Sequence, residues 1–166
     1  LVSLGVERGD RVVSLLDNSV EGVVALWGIL KAGAVIVALG PSIRAGRLAA
    51  ILRDCTPRVV VVSPQNGQIV SEALASAGLS PAIAWTSPPP GKHDEPCLAR
   101  AIESCARCVP VRQIDRDLAA IIYTSGTTGE PKGVMLSHLN MLSAAASVQA
   151  YLGLRADDVL LGALPL

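Results

Sequence analysis

Residues 58–63, RVVVVS, include four consecutive valines with no polar side chain between them. A strand with one face in water alternates apolar and polar residues, whereas a strand in a parallel sheet is covered on both faces and forms a continuous apolar run. Valine also favours strands because its branched β-carbon restricts side-chain rotation in a helix. The run therefore predicts a buried strand and limits the chain to folds in which helices cover both faces of a sheet.

The rest of the first half alternates between strand and helix patterns. Further strands are predicted at residues 11–16 (RVVSLL), 34–39 (AVIVAL) and 82–85 (AIAW). Apolar residues recur at helical spacing between them, at Leu48, Ile51, Leu52 and Cys55 and again at Val70, Ala73, Leu74 and Ala77. Strands and helices joined by short links are typical of βαβ units, so we expect an α/β fold around a mainly parallel sheet.

The pattern divides the chain into three segments. Residues 1–85 form the block of alternating strands and helices, and residues 86–110 include the proline-rich stretch TSPPPGKHDEP, which predicts an irregular linker. Regular patterns return in residues 111–166, where a final helix is expected to begin after an N-cap at Ser137. Its apolar face would carry Met141, Ala145, Val148 and Leu152. The chain opens without a signal-like segment and stops within an apolar stretch, so we expect a partial domain, truncated at both ends.

The apolar composition raises the question of a membrane span. Hydrophobic residues make up 51% of the chain, and the mean hydropathy is +0.48. Residues 20–40 approach the roughly 20 residues that a spanning helix needs, but Lys31 falls near their middle, where a charge costs about 2.5–3.5 kcal/mol. Gly33 is a helix-stop signal, and the β-branched residues after it favour a strand. We therefore expect a buried helix and strand here, no membrane span, and a cytoplasmic location.

Charge and aromatic content argue against a nucleic-acid partner. The chain carries 14 basic and 14 acidic residues, for a net charge of +0, and they form no basic stripe along the sequence. Phenylalanine is absent and aromatic residues amount to 2%, so side chains that would stack on bases are also lacking.

Four residues within the predicted linker have a spacing that superficially suits a zinc site. These are His93, Cys97, Cys105 and Cys108. Cys105 and Cys108 also fall within LARAIESCARCV, residues 98–109, which fits a small helix with two thiols facing a core, so we expect reduced thiols and no metal. Two other residues receive structural interpretations. Trp27, on an apolar helix, is expected in the core, and His138 is expected to start the final helix rather than act as a catalytic base.

The most polar and flexible stretch is YTSGTTGEPKG, residues 123–133, directly after the apolar LAAII. Glycines allow backbone conformations that point successive N–H groups into one concavity, and hydroxyl side chains add further donors. Lys132 supplies a mobile positive charge that suits a polyphosphate. The stretch does not fit the P-loop, dinucleotide-binding or nucleophile-elbow patterns. Taken alone, its composition favours a mobile surface turn between two strands.

A longer match identifies the loop. YTSGTTGEPKGVMLSHLN, residues 123–140, closely resembles the signature of the adenylate-forming superfamily, which includes acyl-CoA synthetases, adenylation domains of peptide synthetases and luciferase-like enzymes. DNSVEGVVALWGILKAGAVIVALGP and DDVLLGALPL resemble the flanking parts of that family. The chain departs from the family pattern at Ala38, Gly40, Ala45 and Gly46, and these differences bear on which subfamily it resembles. The sequence around LKAG is more similar to acyl-CoA ligases than to peptide-synthetase domains.

The resemblance implies a function and a set of site residues. The β- and γ-phosphates of ATP would be held by Thr124, Ser125, Gly126, Thr127, Thr128, Gly129 and Lys132. It implies an AMP-forming acid–thiol ligase that uses a carboxylic acid, ATP and Mg²⁺ to make an acyl-adenylate, with coenzyme A as the acceptor. The alternatives are an adenylation domain that loads a carrier protein and a nucleotide-binding fragment without catalysis. No catalytic residue is identifiable within the chain, which alone is expected to be inactive.

Overall fold

Strands and helices alternate along the chain, as the sequence predicts. The structure, a computed structural model, describes residues 1–91, 95–104, 111–125 and 130–159. The strands are β1 (Arg11–Leu15), β2 (Val35–Leu39), β3 (Val59–Val62), β4 (Ala82–Trp85), β5 (Leu118–Ser125) and β6 (Pro131–Ser137). The helices are α1 (Val20–Lys31), α2 (Ala45–Cys55), α3 (Gly67–Ala77), α4 (Leu98–Ser104) and α5 (His138–Leu152). Short 3₁₀ turns at Val2–Leu4 and Pro64–Asn66 precede β1 and α3.

The strands form one six-stranded sheet in the order β4-β3-β1-β2-β5-β6. Neighbouring strands are parallel from β4 to β5, and β6 runs antiparallel to β5. The predicted α/β fold with a mainly parallel sheet is confirmed. Between β2 and β5, Ile36 lies opposite Ala120, and Ala119 and Ala120 of β5 are buried.

The four valines of β3 show why the sheet needs helices on both faces. Val60 and Val62 contribute to a core shared with α2 and α3, whereas Val59 and Val61 contribute to a second core shared with α1. All four are at most 3% exposed. The continuous apolar run is thus a strand covered on both faces, as expected.

Residues 20–40 form a helix and a strand rather than one long helix. Ser19 caps α1 by accepting a hydrogen bond from the backbone N–H of Gly22 at 3.1 Å. The helix ends at Lys31, and Gly33 follows with φ of 77°, a left-handed conformation that glycine tolerates. A β-carbon at this position would also lie 2.9 Å from Cγ1 of Val111. Across the described parts of the chain, no helix is both long enough and apolar enough to cross a membrane.

The expectation that Trp27 lies in the core is wrong. Helix α1 buries Ala25, Ile29 and Leu30 against the sheet. Trp27 lies two residues from both Ala25 and Ile29, which at about 100° per residue turns it to the opposite side of the helix. Its side chain is 57% exposed, and Val20 and Val23 are exposed beside it.

The segment predicted as an irregular linker contains some regular structure. Helix α4 occupies Leu98–Ser104, and Cys97 forms an isolated parallel bridge with Trp85 at the end of β4. Cys97 is buried, and its thiol donates a hydrogen bond to the backbone carbonyl of Thr86 at 3.5 Å. A short helix in this segment agrees with the interpretation of LARAIESCARCV, residues 98–109, as a small helix.

Candidate functional site

The glycine- and threonine-rich stretch is carried by a β-hairpin. Strands β5 and β6 pair antiparallel, with Thr124 opposite Lys132 and Ser125 opposite Pro131. Residues directly opposite in such a pair have their side chains on the same face, with β-carbons about 4.5–5.5 Å apart. Thr124 and Lys132 are both exposed. The hairpin therefore presents a hydroxyl and an ammonium group together at the base of its loop.

The structure describes some of the residues implied in phosphate binding and not others. Thr124, Ser125 and Lys132 lie on the two strand ends. Gly126, Thr127, Thr128 and Gly129 lie outside the described residues. The assignment of all seven to ATP stays a prediction.

Helix α5 follows the hairpin and begins with a capping box. Ser137 is the N-cap, as predicted: its hydroxyl accepts a hydrogen bond from the backbone N–H of Asn140 at 3.2 Å. In return, Oδ1 of Asn140 accepts from the backbone N–H of Ser137 at 3.0 Å. This reciprocal pair fixes the direction in which the chain leaves β6.

The first N–H groups of α5 are used within the protein. The backbone N–H of His138 donates to the carbonyl of Asp117 at 3.0 Å, and that of Leu139 donates to the carbonyl of Asp115 at 2.7 Å. A helix N-terminus binds an anion through such N–H groups when they are free. The start of α5 therefore does not offer an anion-binding site of this kind. His138 is the first helical residue, as expected, and its buried Nε2 has no hydrogen-bond partner among the described residues.

An ion pair braces the turn that leads into β5. Nη2 of Arg8 lies 2.7 Å from Oδ1 of Asp117, and Oδ2 of Asp117 accepts from the backbone N–H of Ile114 at 3.0 Å. The hydrogen bond from Arg8 lowers the pKa of Asp117, and the one from Ile114 acts in the same direction. The carboxylate thus ties the segment before β1 to the start of the hairpin.

Tyr123 links the hairpin to a distant helix. Its hydroxyl donates a hydrogen bond to Oδ2 of Asp54, in the last turn of α2. Burial, then the hydrogen bond to Asp54, raises the pKa of Tyr123. Gly133 lies directly opposite Tyr123 in the register of β5 and β6. Sequence reasoning missed this contact because nothing in the pattern of either segment connects residues 69 positions apart.

Next to Asp54, the end of α2 holds a buried thiol and an arginine. Burial, then the negative charge of Asp54, raises the pKa of Cys55 to about 11. The guanidinium of Arg11 donates to the backbone carbonyl of Cys55 at 2.8 Å and to that of Thr56 at 3.1 Å. These bonds satisfy carbonyl groups that the end of a helix would otherwise leave unpaired.

The candidate zinc ligands are not brought together in the described parts of the chain. Of the four, Cys97 is buried against Thr86, whereas His93, Cys105 and Cys108 lie outside the described residues. Among described residues, no group of three or more His, Cys, Asp and Glu side chains is arranged to hold a metal.

Comparison with known proteins gives a family match over the whole chain. The model of a family described as AMP-binding enzyme matches residues 1–166. The long-chain-fatty-acid–CoA ligase FadD13 of Mycobacterium tuberculosis is 34% identical across all of this chain, which covers 32% of that ligase. Syringomycin synthase SyrB1 of Pseudomonas syringae pv. syringae is 34% identical over 93% of this chain and 23% of the synthase.

A solved structure is also similar to nearly the whole of this chain. The crystal structure of ATP-bound MatB from Rhodopseudomonas palustris aligns with a TM-score of 0.82 and 32% identity, over 99% of this chain and 32% of that one. The chain therefore spans a third or less of the length of the proteins it matches here.

Proposed function

The chain belongs to the AMP-binding enzyme family, and on that premise we propose that it is the ATP-phosphate-binding part of a ligase that activates a carboxylic acid as an acyl-adenylate. The observation that carries the proposal is the pairing of exposed Thr124 and Lys132 across the base of the hairpin. The seven residues from Thr124 to Gly129 and Lys132 would bind the β- and γ-phosphates.

The proposed chemistry needs positioning and charge neutralisation rather than a protein nucleophile. A carboxylate oxygen of the substrate attacks the α-phosphorus of ATP, and the bond from that phosphorus to the bridging oxygen of the β-phosphate breaks. Pyrophosphate leaves with the electron pair. Lys132 would neutralise negative charge on the phosphates, and the hydroxyl of Thr124 would donate a hydrogen bond to a phosphate oxygen.

Magnesium is expected to arrive with ATP. When bound, it neutralises charge on the phosphate oxygens. Mg²⁺ is commonly held by one or two carboxylates together with substrate phosphates and water rather than by a cage of protein ligands. That preference fits the described residues, which bring no group of three or more acidic, cysteine or histidine side chains together.

For the second step we favour coenzyme A as the acceptor. Its thiol would attack the acyl carbon of the adenylate and release AMP, giving a thioester. FadD13, whose name gives it as a CoA ligase, supports this choice. SyrB1, equally identical, is named a synthase rather than a CoA ligase, which keeps open the alternative in which the acceptor is the thiol of a carrier protein. Mixing the full-length enzyme with ATP, acid and each acceptor, and detecting the thioester by mass spectrometry, separates the two.

Lys132 gives the direct test of the proposed ATP site. In the full-length ligase, Lys132→Ala should raise the KM for ATP or lower kcat, with a loss of at least tenfold in kcat/KM, the effect of about 1.4 kcal/mol. Lys31→Ala is the matched control, because Lys31 is also exposed but lies at the end of α1. Its kinetics should be unchanged. Equal kinetics for both variants and the wild type would refute the assignment of Lys132.

A further inference from the structure

Tyr123 occupies a position from which it can control two of the described residues of the proposed site, Thr124 and Lys132. It immediately precedes Thr124 in β5, and its cross-strand partner Gly133 immediately follows Lys132 in β6. Any shift of the Tyr123–Gly133 pair therefore moves both Thr124 and Lys132.

Gly133 is required by the side chains of Ile121 and Tyr123, which pack against it, rather than by its backbone conformation. It is not among the glycines with positive φ. A β-carbon built on it would lie 3.1 Å from Cζ of Tyr123 and 2.7 Å from Cγ2 of Ile121. These distances are shorter than ordinary contacts, so the ring lies directly against the β6 backbone. The bare glycine thus lets the ring lie across the hairpin.

The far end of the tyrosine is held by a rigid part of the molecule. Its partner Asp54 belongs to α2, which buries Leu48, Ile51 and Leu52 almost completely in the core. Arg11 also fixes the end of that helix through the carbonyls of Cys55 and Thr56. Asp54, Cys55 and Arg11 are the titratable groups that act on or line the space around the phenol.

The half of the hairpin that carries Lys132 lies at the edge of the sheet. Among the described strands, β6 pairs with β5 alone and stands at the end of the strand order, so a contact that fixes Tyr123 in β5 also fixes Lys132. We propose that Tyr123, seated on Gly133 and hydrogen-bonded to Asp54, is a positioning residue that clamps the hairpin to α2 and so places Thr124 and Lys132 for ATP. The statement about ATP rests on the proposed function, whereas the clamp itself does not.

Four variants of the full-length ligase test the clamp. Tyr123→Phe removes the hydroxyl and keeps the ring on Gly133, and Asp54→Ala removes the acceptor. Asp54→Asn keeps an acceptor oxygen, and Tyr151→Phe is the control, because Tyr151 is exposed on α5. By hydrogen exchange with mass spectrometry, the amides of β6 should exchange about fivefold faster in the first two variants, as for the loss of one hydrogen bond. Asp54→Asn and Tyr151→Phe should match the wild type.

The same variants in the full-length ligase test the positioning. Tyr123→Phe and Asp54→Ala should raise the KM for ATP about fivefold, leave the KM for the acid unchanged, and combine without an additive effect. Asp54→Asn should restore the wild-type KM. If the β6 amides of Tyr123→Phe exchange hydrogen at the wild-type rate, the clamp is overturned. If they exchange faster but the KM for ATP is unchanged, the positioning role is overturned. A wild-type enzyme without acid-dependent ATP–pyrophosphate exchange overturns the proposed function, while the exchange of β6 amides still decides the clamp.

Discussion

At the scale of single residues, glycines in this chain differ in what they make possible. Gly33 allows a left-handed turn after α1, and Gly133 allows a ring to lie against a strand. Gly28 lies within α1, and a β-carbon added there would meet no other part of the chain within 4 Å. The same substitution should therefore have opposite effects at different glycines.

Alanine substitutions at Gly133 and Gly28 test this difference. Gly133→Ala should lower the free energy of unfolding by about 1–3 kcal/mol, because Ile121 and Tyr123 must move to make room. Gly28→Ala should raise it by about 0.5–1 kcal/mol, because alanine is the better helix former and has space here. Urea unfolding of the two variants beside the wild type measures both, and a stabilised Gly133→Ala would contradict the close packing of the ring.

The thiol of Cys55 predicts a loss of stability at high pH. Its pKa is raised to about 11 in the folded chain, against about 8.5 for an ordinary cysteine. Between these values the unfolded chain loses the proton and the folded chain keeps it, so the free energy of unfolding falls as pH rises. Tyr123, whose pKa is also raised, acts in the same direction. Urea unfolding from about pH 8 to pH 10.5 should therefore show a shallower decline in Cys55→Ala than in the wild type; parallel declines would argue against it.

Residue-scale prediction from the sequence succeeded where the signal was local. Ser137 as N-cap and His138 as the first residue of α5 follow from short-range chemistry of helix starts, and both are confirmed. The contact of Tyr123 with Asp54 depends on how α2 lies against the sheet, which no local pattern records. Gly133 does not have a positive φ, and its role becomes clear only when the strand register shows that it lies opposite the aromatic ring of Tyr123.

At the scale of elements, continuous and periodic patterns predicted the fold well. The valines of β3 and the spacing of apolar residues in α2 and α3 specify which faces are buried. The buried face of helix α1 is harder to predict, because the helix is apolar on nearly all sides. Its sequence therefore does not show which side faces the sheet. Hydrophobicity alone puts Trp27 in the core, whereas packing against the sheet turns it outward.

Two substitutions on α1 compare its faces. Ile29→Ala, on the buried face, should lower the free energy of unfolding by about 2–5 kcal/mol through loss of apolar contact and the cavity left behind. Trp27→Ala, on the exposed face, should change it by no more than about 0.5 kcal/mol. The comparison is made by thermal or urea unfolding of the two variants. A larger loss from Trp27→Ala than from Ile29→Ala would mean that α1 is rotated about its axis.

At the scale of the whole molecule, apolar surface is unevenly distributed. The two cores beside β1 and β3 are well covered, whereas β6 and α5 expose Val134, Met135, Leu139 and Leu142, with Met135 and Leu142 each 65% exposed. No described residue of α5 is buried. The apolar residues expected on one face of that helix, Val148 and Leu152 among them, are thus mostly in contact with solvent. An exposed patch of this kind at a sheet edge favours association.

The isolated chain should self-associate and should not catalyse the proposed reaction. Sedimentation velocity should show a concentration-dependent increase in size, and Met135→Lys with Leu142→Lys should reduce it. Acid-dependent ATP–pyrophosphate exchange should be at background, because the described residues include the proposed phosphate contacts but no identifiable adenine pocket or group for the α-phosphate. A monodisperse monomer would contradict the predicted self-association. ATP–pyrophosphate exchange above background with any carboxylic acid would contradict the predicted lack of activity.

The strand order also has a consequence for the nascent chain during translation. β4, β3, β1 and β2 are neighbours in the sheet and come from the first 85 residues, so they can assemble as soon as that stretch has left the ribosome. From β4, the chain must then cross β3, β1 and β2 before β5 can pair with the free edge of β2, after more than thirty further residues have been made. The hairpin that carries the proposed ATP site is therefore the last part of the described sheet to be completed, and a ribosome paused before residue 118 would hold a sheet with its edge at β2 open to solvent.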